Sequence, residues 1–232
     1  MSDLHEVSGP WRREPFTLTL GEVHVLRLRL DLPDAALGAM RAALSADELA
    51  RAERFRFEAD RRRWVGARGS LRALLGTCLG LPPGEVRLCY GEHGKPALSA
   101  AHERPELQFS LAHSHDRALI AVALGRAVGA DLERVRADLD HVAIARQVLG
   151  EACAEELAGL DERDRPKRFA LAWTRHEARI KAVGGALGSA PPPDAGEYEV
   201  AALRPWPGYV AAVAARGAGW PVDLWEFGPA IT

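Results

Sequence analysis

An α+β fold is what this sequence of 232 residues predicts, on three observations. Short runs with strand patterning are interspersed with longer runs of helical spacing along the whole chain. Helical runs stop at glycines, Gly80 after the first long one and Gly184–Gly185 after the last. Two small-residue strand patterns, "DRALIAVALGR" near the middle and "GYVAAVAARG" near the end, echo one another, each reached from helices through an irregular stretch. Two similar halves meeting near residue 125 would leave this echo; heavy alanine usage would produce as much by chance.

Taken in order, "GEVHVLRLRL" alternates apolar and polar from Val23 to Leu30, the pattern of a strand with one buried face. "SADELARAERF" opens with Ser45 and has Glu48 three residues on, the capping-box spacing of a helix start. Trp64, Ala67, Leu71, Leu74, Leu75 and Cys78 then return at three- and four-residue steps, an amphipathic helix ended by Gly80 and the Pro82-Pro83-Gly84 turn. "EVRLCY" reads as a strand, "GEHGKPALS" as a loop and "ALIAVAL" as a strand. Gly125-Arg126 separates that strand from "AVGADLERV" by two residues, so a hairpin with a type II′ turn is expected there. Beyond Asp140 the pattern is helical in "HVAIARQVLG", "EACAEELAGL" and, after Pro166, "KRFALAWTRHEARIKAVGG"; "EYEV", "GYVAAVAA" and "VDLWEF" supply closing strands.

Composition narrows the function classes. With 47% hydrophobic and 27% charged residues the chain is a folded globular protein, of a length between one large domain and two small ones. A net charge of -2 gives no global attraction to nucleic acid or anionic membrane. Cys78, Cys89 and Cys153 are odd in number and lack C-x-x-C spacing, against a disulfide framework or a structural zinc site. The N-terminus lacks the apolar core of a signal peptide, and no stretch of about 18 apolar residues occurs that could span a bilayer. A cytoplasmic protein is expected, with neither membrane nor nucleic acid as partner.

Several side chains are spaced for chemistry. Asp131 and Glu133 lie two apart on an expected strand, so both carboxylates leave one face. They either meet solvent, paired with Arg134 or Arg136, or share a hard cation such as Mg²⁺. Trp173, Glu177 and Lys181 stack at four-residue steps on a helix, as a surface ion pair beside a core tryptophan or as a site. Gly94-Lys95-Pro96 joins a flexible backbone, a phosphate-seeking cation and a fixed φ. His113 is a phosphate donor or a satisfied core histidine. Eight arginines between Arg51 and Arg72 form a solvated helix face, a nucleic-acid patch or a patch for the phosphates of one small ligand.

The order of these pieces is more specific than any one of them. G-K-P, F-S-L-A-H-S, G-A-D-L-E and W-T-R-H-E-A-R-I-K, in that sequence, resemble the 4′-phosphopantetheinyl transferase family, of the larger Sfp-type, from about Ser45 to Lys181. The resemblance implies an α+β pseudo-dimer of two similar halves, here residues 1–125 and 126–232, with the active site between them. It implies transfer of the phosphopantetheine arm of coenzyme A to a serine of an apo acyl or peptidyl carrier protein, with Mg²⁺, or Mn²⁺ at the same oxygen ligands, and release of 3′,5′-ADP. Carried over by position, Asp131, Glu133 and Glu177 hold the metal, Glu177 also helps deprotonate the serine hydroxyl, and Lys181 neutralises the departing phosphate. Lys95 and Pro96 line the coenzyme A site, His113 contacts its phosphates, and Arg51 and Arg63 face the nucleotide end. A monomer follows from a pseudo-dimer.

The chain departs from the family pattern in four places. Ser110, Ala112 and His115 stand where Asn, Ser and Gly are usual, and His176 stands where a lysine precedes the glutamate. Histidine, unlike lysine, does not keep its charge through the working range, so with His176 as a coenzyme A contact, binding or turnover is expected to weaken toward alkaline pH. These departures also leave room for a non-catalytic coenzyme A or nucleotide-binding module on the same scaffold.

Overall fold

The structure, a computed structural model, describes residues 6–13, 17–92, 94–185 and 196–228; residues 1–5 and 14–16, on which the reading of the N-terminus partly turns, lie outside these. After a short strand β1 (Glu6–Val7), β2 (Val23–Arg29) leads to helices α1 (Asp34–Ala42), α2 (Ala46–Ala52) and the long α3 (Glu58–Leu79). A small hairpin, β3 (Leu88–Tyr90) with β4 (Pro96–Leu98), precedes β5 (Leu107–Ser114) and β6 (Arg117–Leu124). The second half repeats the plan: β7 (Val128–Arg134), helices α4 (His141–Val148), α5 (Glu151–Ala158) and the long α6 (Arg165–Val183), then β8 (Tyr198–Leu203) and β9 (Tyr209–Arg216). A last strand β10 (Val222–Glu226) ends the described chain.

Each half is a strand, a long helix and an antiparallel hairpin. Its first strand joins the sheet beside the hairpin's second strand, so β6 and β9 are central. These are the two echoing segments. Strands covered on both faces and both edges have no solvent side to make polar, which is why both read as unbroken small apolar runs. The termini then cross over. β10 pairs parallel with β2 to give the sheet β10-β2-β6-β5, and β1 pairs parallel with β8 to give β1-β8-β9-β7. A division at residue 125 therefore falls between the two repeats but does not separate the sheets, because each half takes a strand from the far end of the chain.

The molecule is layered helix, sheet, sheet, helix. Val23 and Val25 face a core shared with Ala130, Leu132, Ala211 and Val213 of the other sheet, while Leu26 and Leu28 face Leu71, Leu74 and Leu75 of α3. The alternation in β2 thus separates two cores, where the sequence predicted one buried face and one wet one. The capping box forms as expected: the Ser45 N–H donates to Glu48 Oε2 at 3.0 Å. Helix α3 ends at Gly80 with φ 67°, a left-handed cap that glycine adopts without strain. Helix α1 lies in a segment where the sequence predicts no element.

The expected hairpin across Gly125-Arg126 does not form. Both edges of β6 are taken by β2 and β5, so the three residues after Leu124 carry the chain into the other sheet, where β7 pairs with β9. Pro96–Leu98 of the expected loop is a strand instead, paired with β3.

Opposite the β6–β7 crossing, side chains tie the halves. Asp116 Oδ1 accepts a hydrogen bond from the Tyr209 hydroxyl at 2.5 Å, and Asp116 pairs with Arg117 and meets His115 Nδ1 at 3.1 Å. Partial burial works to raise the Asp116 carboxyl, but these three partners outweigh it and hold the pKa down at about 2. A depressed carboxylate stabilises the fold above its unfolded pKa and loses that contribution as pH falls through the folded value. Asp116→Asn is expected to cost about 1–2 kcal/mol near neutral pH, allowing for partial solvent screening, with the deficit shrinking between pH 4 and pH 2. Denaturant melts of both proteins across that window check it.

Candidate active site

The site begins with a close approach of backbones. A Cβ at Gly129 of β7 would sit 2.1 Å from the Ala178 carbonyl oxygen and 2.3 Å from the Ala182 nitrogen of α6. The neighbouring floor is equally small: Ala214 pairs with Gly129, Ala212 pairs with Asp131, and both pack on Ala178 and Ala182. Because strand side chains alternate, Asp131 and Glu133 leave the same face as Gly129, toward α6. Helix α6 answers with Trp173, Glu177 and Lys181, one per turn along one side. All five side chains line one cavity of about 560 Å³.

The ion pair that forms is across elements. Lys181 Nζ donates to Asp131 Oδ1 at 2.6 Å, so this lysine is not the surface partner of Glu177. Glu177 itself is only 2% exposed. Burial is the largest influence on Asp131; the Lys181 ammonium opposes it, Glu133 and Glu177 add to it, and the carboxyl is pushed up to about 7. Glu133 is raised too, by burial first, against a 2.9 Å hydrogen bond from the Ser114 hydroxyl and the charge of Lys181. Asp131 Oδ2 is enclosed and finds no hydrogen-bond donor among the described residues. Three acids facing one cavity, with a buried oxygen to spare, form the oxygen-only donor set that hard divalent cations take. The residues fit Mg²⁺ or Mn²⁺.

From the first half, Lys95, Pro96 and His113 reach the same cavity. Lys95 does so as a tie across the seam, its Nζ donating to the carbonyl oxygens of Val128 at 3.2 Å and Lys181 at 2.5 Å. Burial, with the Lys181 charge behind it, lowers its pKa to about 8. His113 is lowered by the surrounding protein first and then by Lys181, Arg68 and Arg51, so positive charge converges on it from both halves. Arg51 stands nearby with its guanidinium 6.0 Å from the Trp64 ring.

Three expected residues, Arg51, Arg63 and His176, do not line this cavity. Arg63 turns instead to Asp31, its Nε 3.1 Å from Oδ1. His176 is half-buried on α6 but does not line the cavity, because the helical turn that aims Glu177 inward rotates its neighbour by about 100°. Sequence reasoning in turn missed Arg68, which is 6% exposed and lies between Trp64 and Tyr90, its guanidinium 5.5 and 5.7 Å from their rings. A run of eight arginines conceals the two that are buried, Arg68 and Arg72. His115 has φ 54°, which accounts for the glycine usual at that position.

A compact metal-like grouping also occurs elsewhere, with ligand atoms of Glu22, His24 and Asp223 all within 4.8 Å of one another. There the backbone N–H of Thr19 points at His24 Nε2 from 3.1 Å and the Trp225 indole N–H at Nδ1 from 3.2 Å. The single lone pair of a neutral imidazole is already engaged by the fold.

Gly129→Ala is expected to destabilise the protein by about 3 kcal/mol or more, because the clash is with backbone that no rotamer relieves. Thermal melts measure the loss, and a variant as stable as the parent would show that α6 stands further off than described.

Comparison with known proteins shows the family. A family model described as 4′-phosphopantetheinyl transferase, N-terminal, matches residues 34–125, and one described as the 4′-phosphopantetheinyl transferase superfamily matches residues 127–220. Among curated relatives, the 4′-phosphopantetheinyl transferase HetI of Nostoc sp. is 37% identical, over 94% of this chain and 98% of its own length. A putative 4′-phosphopantetheinyl transferase of Synechocystis sp. is 33% identical over 62% of this chain and 58% of its own. The 4′-phosphopantetheinyl transferase AcpT of Escherichia coli is 34% identical over 54% of this chain and 59% of its own. With both halves matched in order, the chain belongs to the 4′-phosphopantetheinyl transferase family.

Proposed function

We propose that the protein moves the 4′-phosphopantetheine arm of coenzyme A to a serine of an apo acyl or peptidyl carrier protein, using Mg²⁺ and releasing 3′,5′-ADP. The observation that carries this reading is the gathering of Asp131, Glu133, Glu177 and Lys181 from β7 and α6 in one cavity with Lys95 and His113 of the other half. Asp131, Glu133 and Glu177 would hold the cation, with Mn²⁺ an acceptable substitute at oxygen ligands. When bound, it supplies charge neutralisation to the diphosphate.

The remaining work belongs to side chains. The serine oxygen forms a bond to the phosphorus that carries the pantetheine arm, and the bond from that phosphorus to the bridging diphosphate oxygen breaks. Glu177 accepts the serine proton, directly or through water, from a buried position on α6 that lines the cavity. Lys181, beside Asp131 and open to the cavity, meets the negative charge that develops on the departing nucleotide phosphate. Lys95, Pro96 and His113 form the wall against which coenzyme A lies, with Arg51 toward its nucleotide end. Such a transfer needs in-line placement and opposite charge more than covalent help, and this cavity offers both.

Incubation with coenzyme A, Mg²⁺ and an apo carrier protein, followed by mass measurement of the carrier, tests the proposal. A carrier heavier by one phosphopantetheine supports it; coenzyme A bound without transfer identifies a binding module. Glu177→Gln is expected to lower kcat by about 10²-fold or more at saturating Mg²⁺ and coenzyme A. Lys181→Met should lower kcat by about 10²-fold as a cation lost from the transition state. Steady-state kinetics on both variants distinguish these losses from a weakened ground state.

A further inference from the structure

Ser114 ends β5, in the sheet that does not carry the acids. Its hydroxyl oxygen accepts the backbone N–H of Arg134 at 3.1 Å and lies 2.9 Å from Glu133 Oε2. A serine hydroxyl has one proton and a carboxylate has none. With the amide proton already directed at the serine oxygen, the hydroxyl proton is left for Glu133. One glutamate oxygen is thereby engaged from the side.

Glu133 has a choice of directions that this contact decides. It lines the catalytic cavity, and it also lines a second, apolar cavity of about 230 Å³ on the other side of Trp173. Arg134 and Arg136 border that second space, and the charge of Arg136 acts on the Glu133 carboxyl. A long side chain near a strand end, with a guanidinium on one side and the Lys181 ammonium among acids on the other, is drawn both ways unless something holds it.

We propose that Ser114 is a positioning residue for the metal site. Its hydroxyl fixes Oε2 of Glu133, turns the carboxylate away from Arg136 and would leave Oε1 available to the divalent cation. This assignment rests on Glu133 being a metal ligand, as proposed above. It also makes cation binding depend on how the two sheets are aligned, because serine and acid come from different halves.

The seam provides its own control. Ser110, four residues earlier on β5, accepts the backbone N–H of Ala130 at 3.0 Å, a matching bridge between the sheets whose hydroxyl meets no carboxylate among the described residues. Binding of Mn²⁺, followed by loss of the free-ion EPR signal with and without saturating coenzyme A, is the readout, and thermal melts check that the variants fold. Ser114→Ala is expected to weaken Mn²⁺ binding by about 10-fold or more, the usual effect of removing a ligand's hydrogen-bonding partner. Ser114→Thr, which keeps the hydroxyl, should restore most of it, and Ser110→Ala should leave it near the parent value. Mn²⁺ affinity unchanged in Ser114→Ala, or lost equally in Ser110→Ala, overturns the assignment while the metal reading stands. No Mn²⁺ binding by the parent protein overturns both.

Discussion

Helix α6 rests on a floor of the smallest residues. Gly129, Ala212 and Ala214 leave the helix backbone nearly in contact with β7, and no larger residue at 129 would permit it. Asp131 is a short side chain, and its 2.6 Å contact with Lys181 exists only because the helix is this close. Glu177 is buried for the same reason. A cluster of like charges costs free energy in any fold, and this one is held by a packing contact one residue pair away from it.

That packing sits within a larger constraint, the joining of two similar sheets that are not continuous with each other. Backbone pairing stops at β5 and β7, and serine hydroxyls take over, accepting the amide protons of Ala130 and Arg134. Lys95 adds two carbonyl contacts and Asp116 with Tyr209 a third bridge. The Ala130 and Arg134 amides at the seam are thus satisfied without a ladder, which leaves room beside it for a cavity that both halves line.

Much of this was legible in residue order, and the exceptions have physical causes. The capping box at Ser45, the stop at Gly80 and the one-sided stack of Trp173, Glu177 and Lys181 are local signals, set by spacing along one helix, and all appear. The two alanine-rich central strands carried the duplication. The hairpin at Gly125 was misread because turn chemistry describes the bend and not which edges are free. Arg63 and Arg68 are indistinguishable by type, and only the fold determines that one meets Asp31 while the other is enclosed by two rings. His176 adjoins Glu177 in sequence, yet helix geometry points the two apart. Ser110 and Ser114 share a face at i, i+4 in a strand, a signal that acquires meaning only once β7 lies alongside.

The exchanged terminal strands have a consequence for how the chain comes to be folded. β10, which completes the sheet begun by β2, lies about two hundred residues downstream, so the first half cannot close while it is being synthesised. Its open edge waits until that distant segment has been made, so the seam that both halves line assembles late in folding.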